Sequence, residues 1–175
     1  TLNLKATGGD FIFANNQQSA GLANDIKLGT SSHLNLSGDN NFFFGGGVQS
    51  SGDFAKTGTG FAQFAQDSSF VGDLTLNDGD VRITSGNTFS LVGATDTVTV
   101  GSNGTLGGGG TISANSFVIG GSLSADSAVF SSGNTAPNTN NTFGALTLSG
   151  QSVVLNDATF IYDLGTAVSL NSDDT

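Results

Sequence analysis

The chain of 175 residues has no cysteine, no methionine and no tryptophan, one proline, one histidine and four basic residues. Without cysteine it has no disulfide framework and no thiolate metal site. Glutamate is missing too: all fourteen acidic residues are aspartate, so few strong helix formers remain beyond alanine and leucine. Helix is therefore close to excluded. A net charge of −10, with Arg82 the only arginine, repels phosphate, so neither nucleic acid nor an anionic lipid surface is an expected partner. No charged-then-apolar leader stands at Thr1 and no run of about 18 apolar residues occurs, so neither a signal peptide nor membrane insertion is expected of this segment. The lack of methionine suggests a piece of a longer polypeptide, whose function is that of a part.

What the chain does have is turn residues and phenylalanine. Twenty-seven glycines, with abundant Asp, Asn, Ser and Thr, close turns through positive φ or through side-chain bonds to the backbone. A hydrophobic content of 36%, including 14 Phe set in alternating patterns, exceeds what a solvated linker carries. Apolar-x-apolar pairs recur with a turn behind each: Ile26/Leu28, Leu34/Leu36, Leu74/Leu76, Val98/Val100, Val118 or Phe117 with Ile119, and Leu146/Leu148. Four share a fuller form, LTLNDGDV, VTVGSNGTL, FVIGGSL and LTLSGQSVV, beginning at 74, 98, 117 and 146, so the spacings are 24, 19 and 29 residues.

Such variable spacing fits a solenoid whose coils hold two or three short strands and bulging loops. Antiparallel sandwiches would show longer strands and regular two-residue hairpin loops. The expected fold is all-β, a parallel β-helix; at about 22 residues per coil it has about eight coils and a length of roughly 38 Å. The expected inward residues are Leu34, Leu36, Phe42, Phe44, Phe54, Phe64, Phe70, Leu74, Leu76, Val81, Ile83, Val98, Val100, Val118, Phe143, Leu146, Leu148, Val154, Phe160 and Tyr162. Segments 15–24, 45–52 and 131–142 read as loops leaving the coil sideways.

The stretch from Ser51 to Ile83, SGDFAKTGTGFAQFAQDSSFVGDLTLNDGDVRI, carries a more specific pattern. Lys56-Thr57-Gly58-Thr59-Gly60 reads as a turn. Lys56, Thr57, Gly58, Gly60, Phe64, Phe70, Gly72, Leu76, Asn77, Gly79, Val81 and Ile83 resemble the passenger-associated transport repeat of bacterial autotransporters, offset for offset. The chain differs from it at Phe61, Ala62 and Gln66, where Thr, Leu and Gly are usual. Val98 to Ile112 resembles the family's L-G-G-x-G-T-I element. Gly133 to Pro137 followed by Leu146 to Gly150 resembles its turn and final L-T-L-x-G rung. The resemblance thus divides the chain into 1–50, coils without the signature; 51–164, the repeat region; and 165–175, a truncated final coil or tail. It implies a right-handed parallel β-helix in a secreted or cell-surface protein, exported through the periplasm of a Gram-negative bacterium. The implied work is mechanical: coils that stack outside bias the threading of the passenger through the outer membrane and then support its display. The implied partner is the protein's own C-terminal translocator barrel. An alternative is an adhesion module in which loops 45–52 or 131–142 bind host glycan, host protein or sister molecules.

His33, the single histidine, could join a Ser-His-Asp triad, but no G-x-S-x-G frame occurs and a solvent-facing residue beside Leu34 is the simpler reading. Asn77, Asp78, Asp80 and Arg82 could form the calcium-and-base constellation of polysaccharide lyases, yet Asn-Asp-Gly is also a turn required for backbone reasons. Gly8-Gly9-Asp10-Phe11-Ile12-Phe13 lacks the repetition of a calcium-binding nonapeptide, and Gly107 to Gly110 lacks a phosphate-loop frame. Thr75, Thr95, Thr97, Thr99 and Thr147 are too interrupted for a flat threonine array. The expectation is therefore a chain that is not an enzyme, with no catalytic residue, metal or cofactor.

Overall fold

A computed structural model describes residues 1–13, 25–125 and 145–161. Among these residues the chain is all strand and turn, with no helix and so none long and apolar enough to cross a membrane. In chain order the strands are β1 (Leu2–Ala6), β2 (Phe11–Phe13), β3 (Ile26–Thr30), β4 (Leu34–Gly38), β5 (Phe42–Phe44), β6 (Val48–Ser51), β7 (Phe54–Lys56), β8 (Phe61–Phe64) and β9 (Ser68–Phe70). They continue as β10 (Leu74–Ile83), β11 (Thr88–Leu91), β12 (Thr97–Gly108), β13 (Thr111–Ser113), β14 (Ser116–Ile119), β15 (Ser122–Ser124), β16 (Thr147–Ser149), β17 (Ser152–Leu155) and β18 (Thr159–Ile161).

Among the described residues no hairpin joins neighbours in sequence; each strand pairs, in parallel, with one about a coil away. The first ladder runs β1-β4-β7-β10-β12-β14-β17. A second runs β2-β5-β8, the C-terminal half of β10, the C-terminal half of β12, β15 and β18. The third is β3-β6-β9-β11-β13-β16. The chain visits the three ladders in turn, which is a solenoid-like arrangement. Short strands suffice because each contributes only one or two residues to the interior, and the turns between them are closed by Asp, Asn and Gly.

Parallel stacking sets like above like. In the first ladder Leu2, Leu34, Phe54, Leu74, Val98, Phe117 and Val153 form one column in register. In the second, Phe13, Phe44 and Phe64 stack with ring centroids 5.2 and 4.9 Å apart. Phe54, Phe70 and Phe89 face one another from the first and third ladders, with centroids 5.4 Å apart for Phe54–Phe70 and 5.0 Å for Phe70–Phe89. All three rings are fully buried. Burial of each such ring contributes about 3 kcal/mol, and the offset stacking adds about 1 kcal/mol more.

The structure corrects several expectations. Residues 45–52 are not a protruding loop: Val48 and Ser50 are buried, and β6 sits in the third ladder between β3 and β9. Val118 faces outward while Phe117 and Ile119 are buried, so the phase of β14 is shifted by one residue from the Val118 assignment. The Leu146-Thr147-Leu148 rung does not continue the column of Leu74, Val98 and Phe117. It joins the third ladder, with Leu148 over Ile112, and Val153 takes the expected place on Phe117. Val154 and Phe160 are 47% and 48% exposed. Leu34, Leu36, Phe42, Phe44, Phe54, Phe64, Phe70, Leu74, Leu76, Val81, Ile83, Val98 and Val100 are buried as expected, and Phe89, Leu106, Ile112 and Val48 join them unforeseen. Segments 15–24 and 131–142, Phe143, Tyr162 and the tail 165–175 lie outside the described residues.

Where the first ladder turns into the second, Gly58 and Gly79 have φ of +80° and +72°. A Cβ at Gly79 would run into the carbonyl oxygens of Gly58 and Gly60 one coil below, so both the conformation and the space demand glycine. Gly86, with φ +81°, has open space around it. Gly86→Ala should therefore cost about 1 kcal/mol from backbone strain alone. Gly79→Ala should cost at least about 2 kcal/mol more, because the coil beneath it is backbone and must be pushed away. Urea unfolding midpoints of the two variants measure the difference.

Candidate functional site

The polar side chains fall into two groups, one at the coil entries and one around Lys56. At several entries an Asp or Asn precedes the first inward residue of a strand, and its side chain accepts the backbone N–H of the equivalent position one coil on. In the first ladder Asp53 Oδ1 accepts from Asp73 N at 3.0 Å and Asp73 Oδ1 accepts from Thr97 N at 2.8 Å. The second ladder repeats this with Asp10 Oδ1 and Asn41 N at 3.0 Å, and with Asn41 Oδ1 and Phe61 N at 3.1 Å. In the third, Asp25 Oδ1 takes Gly47 N at 3.0 Å and Asp67 Oδ1 takes Thr88 N at 2.7 Å. Each bond pairs an N–H at the corner, just before the strand ladder begins, and only the short Asp or Asn side chain has the reach to do so without overshooting. Among the described residues five aspartates, Asp10, Asp25, Asp53, Asp67 and Asp73, serve in this way.

Asp96 is the buried member of the set. Its Oδ2 accepts from Gly72 N at 2.9 Å and from Gly93 N at 2.7 Å, tying a turn to the preceding coil. His33 lies at the start of the first-ladder series. Its Nδ1 is 3.1 Å from Asp53 Oδ2 and 3.3 Å from Asp53 N, and His33 and Asp53 side chains are 44% and 54% exposed. The imidazole is thus a surface link between two coils, and among the described residues its side chain meets Asp53 and no serine hydroxyl.

Asp78, Asp80 and Arg82 share β10 but do not converge. Asp80 Oδ2 receives Arg82 Nη2 at 2.6 Å and Nε at 3.1 Å, whereas Asp78 Oδ1 accepts from Gly79 N at 2.9 Å. Among the described residues no group of three or more His, Cys, Asp or Glu side chains is arranged to hold a metal ion. Asp10 is engaged with Asn41, and Gly108, at φ +108°, lies against the backbone of Ile83 at a corner. Thr75 and Thr99 are outward partners in the first ladder, Thr97 bonds Ser116 at 2.8 Å, and Thr147 stacks on Thr111 in the third ladder, so these threonines form no single array.

The group that sequence reasoning placed in a turn and the structure places in the core is Lys56. It occupies the inward position between Leu36 below and Leu76 above, and its side chain is fully buried. Its Nζ donates to Gly58 O at 2.6 Å, Thr57 O at 3.1 Å and, across the coil interface, Asp78 O at 3.4 Å. All three protons of the ammonium are used. Burial pushes its pKa down from 10.5 to about 8, against the opposing pull of the carboxylates of Asp78, Asp80 and Asp39.

No family model, curated protein or solved structure matches the chain.

Two outcomes follow from these contacts. Asp96→Ala leaves two N–H donors without an acceptor and should cost about 2 to 3 kcal/mol, with Asp96→Asn losing less, as read from thermal and urea unfolding. For Lys56, the folded state releases its proton near pH 8 and the unfolded chain near 10.5. In that window the unfolded chain binds more protons, so stability rises as pH rises. Urea midpoints measured from pH 7.5 to 10.5 should climb in the wild type relative to Lys56→Met, which lacks the titrating group; parallel curves would contradict the assignment.

Proposed function

We propose that the chain is a structural segment of an autotransporter passenger: a right-handed parallel β-helix of about eight coils that supports export across the outer membrane and then display at the cell surface. The observation that carries the reading is the coil-on-coil register across the repeat-like segment, in which β7, β8 and β9 are paired by β10 and β11 residue for residue. The motif positions fall at structural junctions of that stack: Lys56 inside the corner, Gly58 and Gly79 at its left-handed turns, and Gly72 on the carboxylate of Asp96. Each of these four has a mechanical part in the stack.

The physical logic is a ratchet without a nucleotide. A coil emerging from a pore finds the ladder edge of the coil before it, pairs its backbone and buries apolar side chains on each of three ladders. At about 25 cal/mol per Å² of apolar surface buried, every added coil resists retreat. A carboxylate such as Asp53 or Asp73, which takes the next coil's N–H, gives the growing end a defined landing point. The protein's own translocator barrel is the partner this reading requires.

The test is to place the whole chain between a secretion signal and an outer-membrane translocator barrel in a Gram-negative host and to measure surface exposure by protease shaving. Leu76→Asp, which breaks the inward column, should reduce display severalfold, whereas the outward Thr99→Asp should leave it unchanged. Equal display of a chain that folds and one that does not would overturn the proposal.

A further inference from the structure

The second inward column of the first ladder reads Leu4, Leu36, Lys56, Leu76, Val100, Ile119 and Leu155. Apart from Lys56 it is aliphatic throughout, and that uniformity carries a hazard. Alternation of inward and outward residues fixes the parity of a strand, because a slip by one residue turns every apolar side chain outward. Pairing with the wrong coil keeps the parity and sets one aliphatic pair on another, and a slip by two residues keeps the parity and still sets one inward residue on another. Leu34-Asn35-Leu36, Leu74-Thr75-Leu76 and Val98-Thr99-Val100 are nearly interchangeable as stacking partners.

Lys56 is not interchangeable. Its ammonium needs acceptors within a dry interior, and two of the three, Thr57 O and Gly58 O, come from its own turn while the third, Asp78 O, comes from the coil above. The space over that cage is taken by Gly79, where a Cβ would stand 2.9 Å from Nζ and would also strike the carbonyls of Gly58 and Gly60. Shifting β10 by two residues over β7 would bring Asn77 or Val81 toward the place of Gly79, move the Asp78 carbonyl away and leave a charged group short of an acceptor. Burying an ammonium without its partners is among the more expensive errors a core can contain, whereas an apolar residue in its place would tolerate any of the alternatives.

We propose that Lys56 is a register pin: a buried ammonium that admits only the native pairing of β7 with β10 and takes Gly79 as its obligatory cover. The pin lies in the middle of the first ladder, with two strands before β7 and three after β10. A correct junction here sets the phase for pairing in both directions. The inference stands on the geometry of this junction and holds for the chain whatever it serves in the cell.

The absence of cysteine allows a direct test by disulfide trapping in the whole chain. Ala55 and Thr75 are outward register partners on adjacent coils, so the pair Ala55→Cys/Thr75→Cys reports the native junction. Ala55→Cys/Asn77→Cys reports a two-residue slip: its Cα atoms lie about 8 Å apart in the native register, beyond the span of a disulfide. With Lys56 present the slipped pair should oxidise at least about tenfold more slowly than the native pair; with Lys56→Met the two rates should come within about threefold, while circular dichroism and the urea midpoint remain those of a folded chain. Lys56→Leu, which matches Leu36 and Leu76, serves as the second variant. Undiminished discrimination in both variants would overturn the proposal. So would failure of both to fold, because the ammonium would then be holding the core together instead of selecting its register.

Discussion

Each strand's backbone pairs in parallel with the strand one coil before it, and the rest of the molecule is arranged around keeping that pairing in register. Parallel register forces side chains into columns, and columns of identical position select residues that stack on themselves: Phe on Phe, Leu on Leu, Asx on Asx. The composition follows from this repetition. A ladder edge must also turn two corners within a few residues before the next ladder starts, and there the backbone N–H groups are offered to the coil beneath. Aspartate answers them at Asp53, Asp73, Asp25 and Asp67. A net charge of −10 therefore comes in part from corner chemistry, and its effect as repulsion of phosphate is a by-product.

Within such a stack apolar burial is abundant and almost undirected. Phenylalanine and leucine hold coils together but distinguish poorly between neighbours, so specificity falls to the few polar groups that require one geometry. Asp96 and Lys56 are the buried pair of charged side chains in the described structure. Both are satisfied by backbone groups of two coils, and both sit where a glycine is needed beside them, Gly93 for Asp96 and Gly79 for Lys56. A buried charge is poor evidence of added stability, and here its use is better read as the choice of one pairing among similar ones.

The legible part of the sequence was the period. Apolar-x-apolar units with turns behind them mark the first ladder at Leu34, Leu74 and Val98, and the second at Phe42, Phe64 and Val81, because those strands show both residues of the inward pair. The third ladder was harder to read: its strands hold Val48 with Ser50, Ser68 with Phe70, and Phe89 with Leu91, so one inward place is often a serine and the alternation is broken. Segment 45–52 therefore resembles a loop in sequence although it forms β6. Leu146-Thr147-Leu148 has the same pattern as a first-ladder strand, and only the stacking partner tells them apart. Of the polar sites, the Asp-Gly turn of Asp78 and Gly79 is visible in sequence, whereas Lys56 resembles a turn residue there. Alignment of Phe54-Ala55-Lys56 on Leu34-Asn35-Leu36 puts the lysine at an inward position, which is the signal that could have found it.

The central claim is that the chain stacks on itself in parallel, each coil over the last, with Lys56 inside the column. Through-space NMR contacts test it most directly. The account predicts that Lys56 side-chain protons show contacts to Leu36 and Leu76, and Leu76 methyls in turn to Val100, in steps of 20, 20 and 24 residues along the chain. Contacts linking strands adjacent in sequence, in the pattern of antiparallel hairpins, or a Lys56 side chain open to solvent, would contradict it.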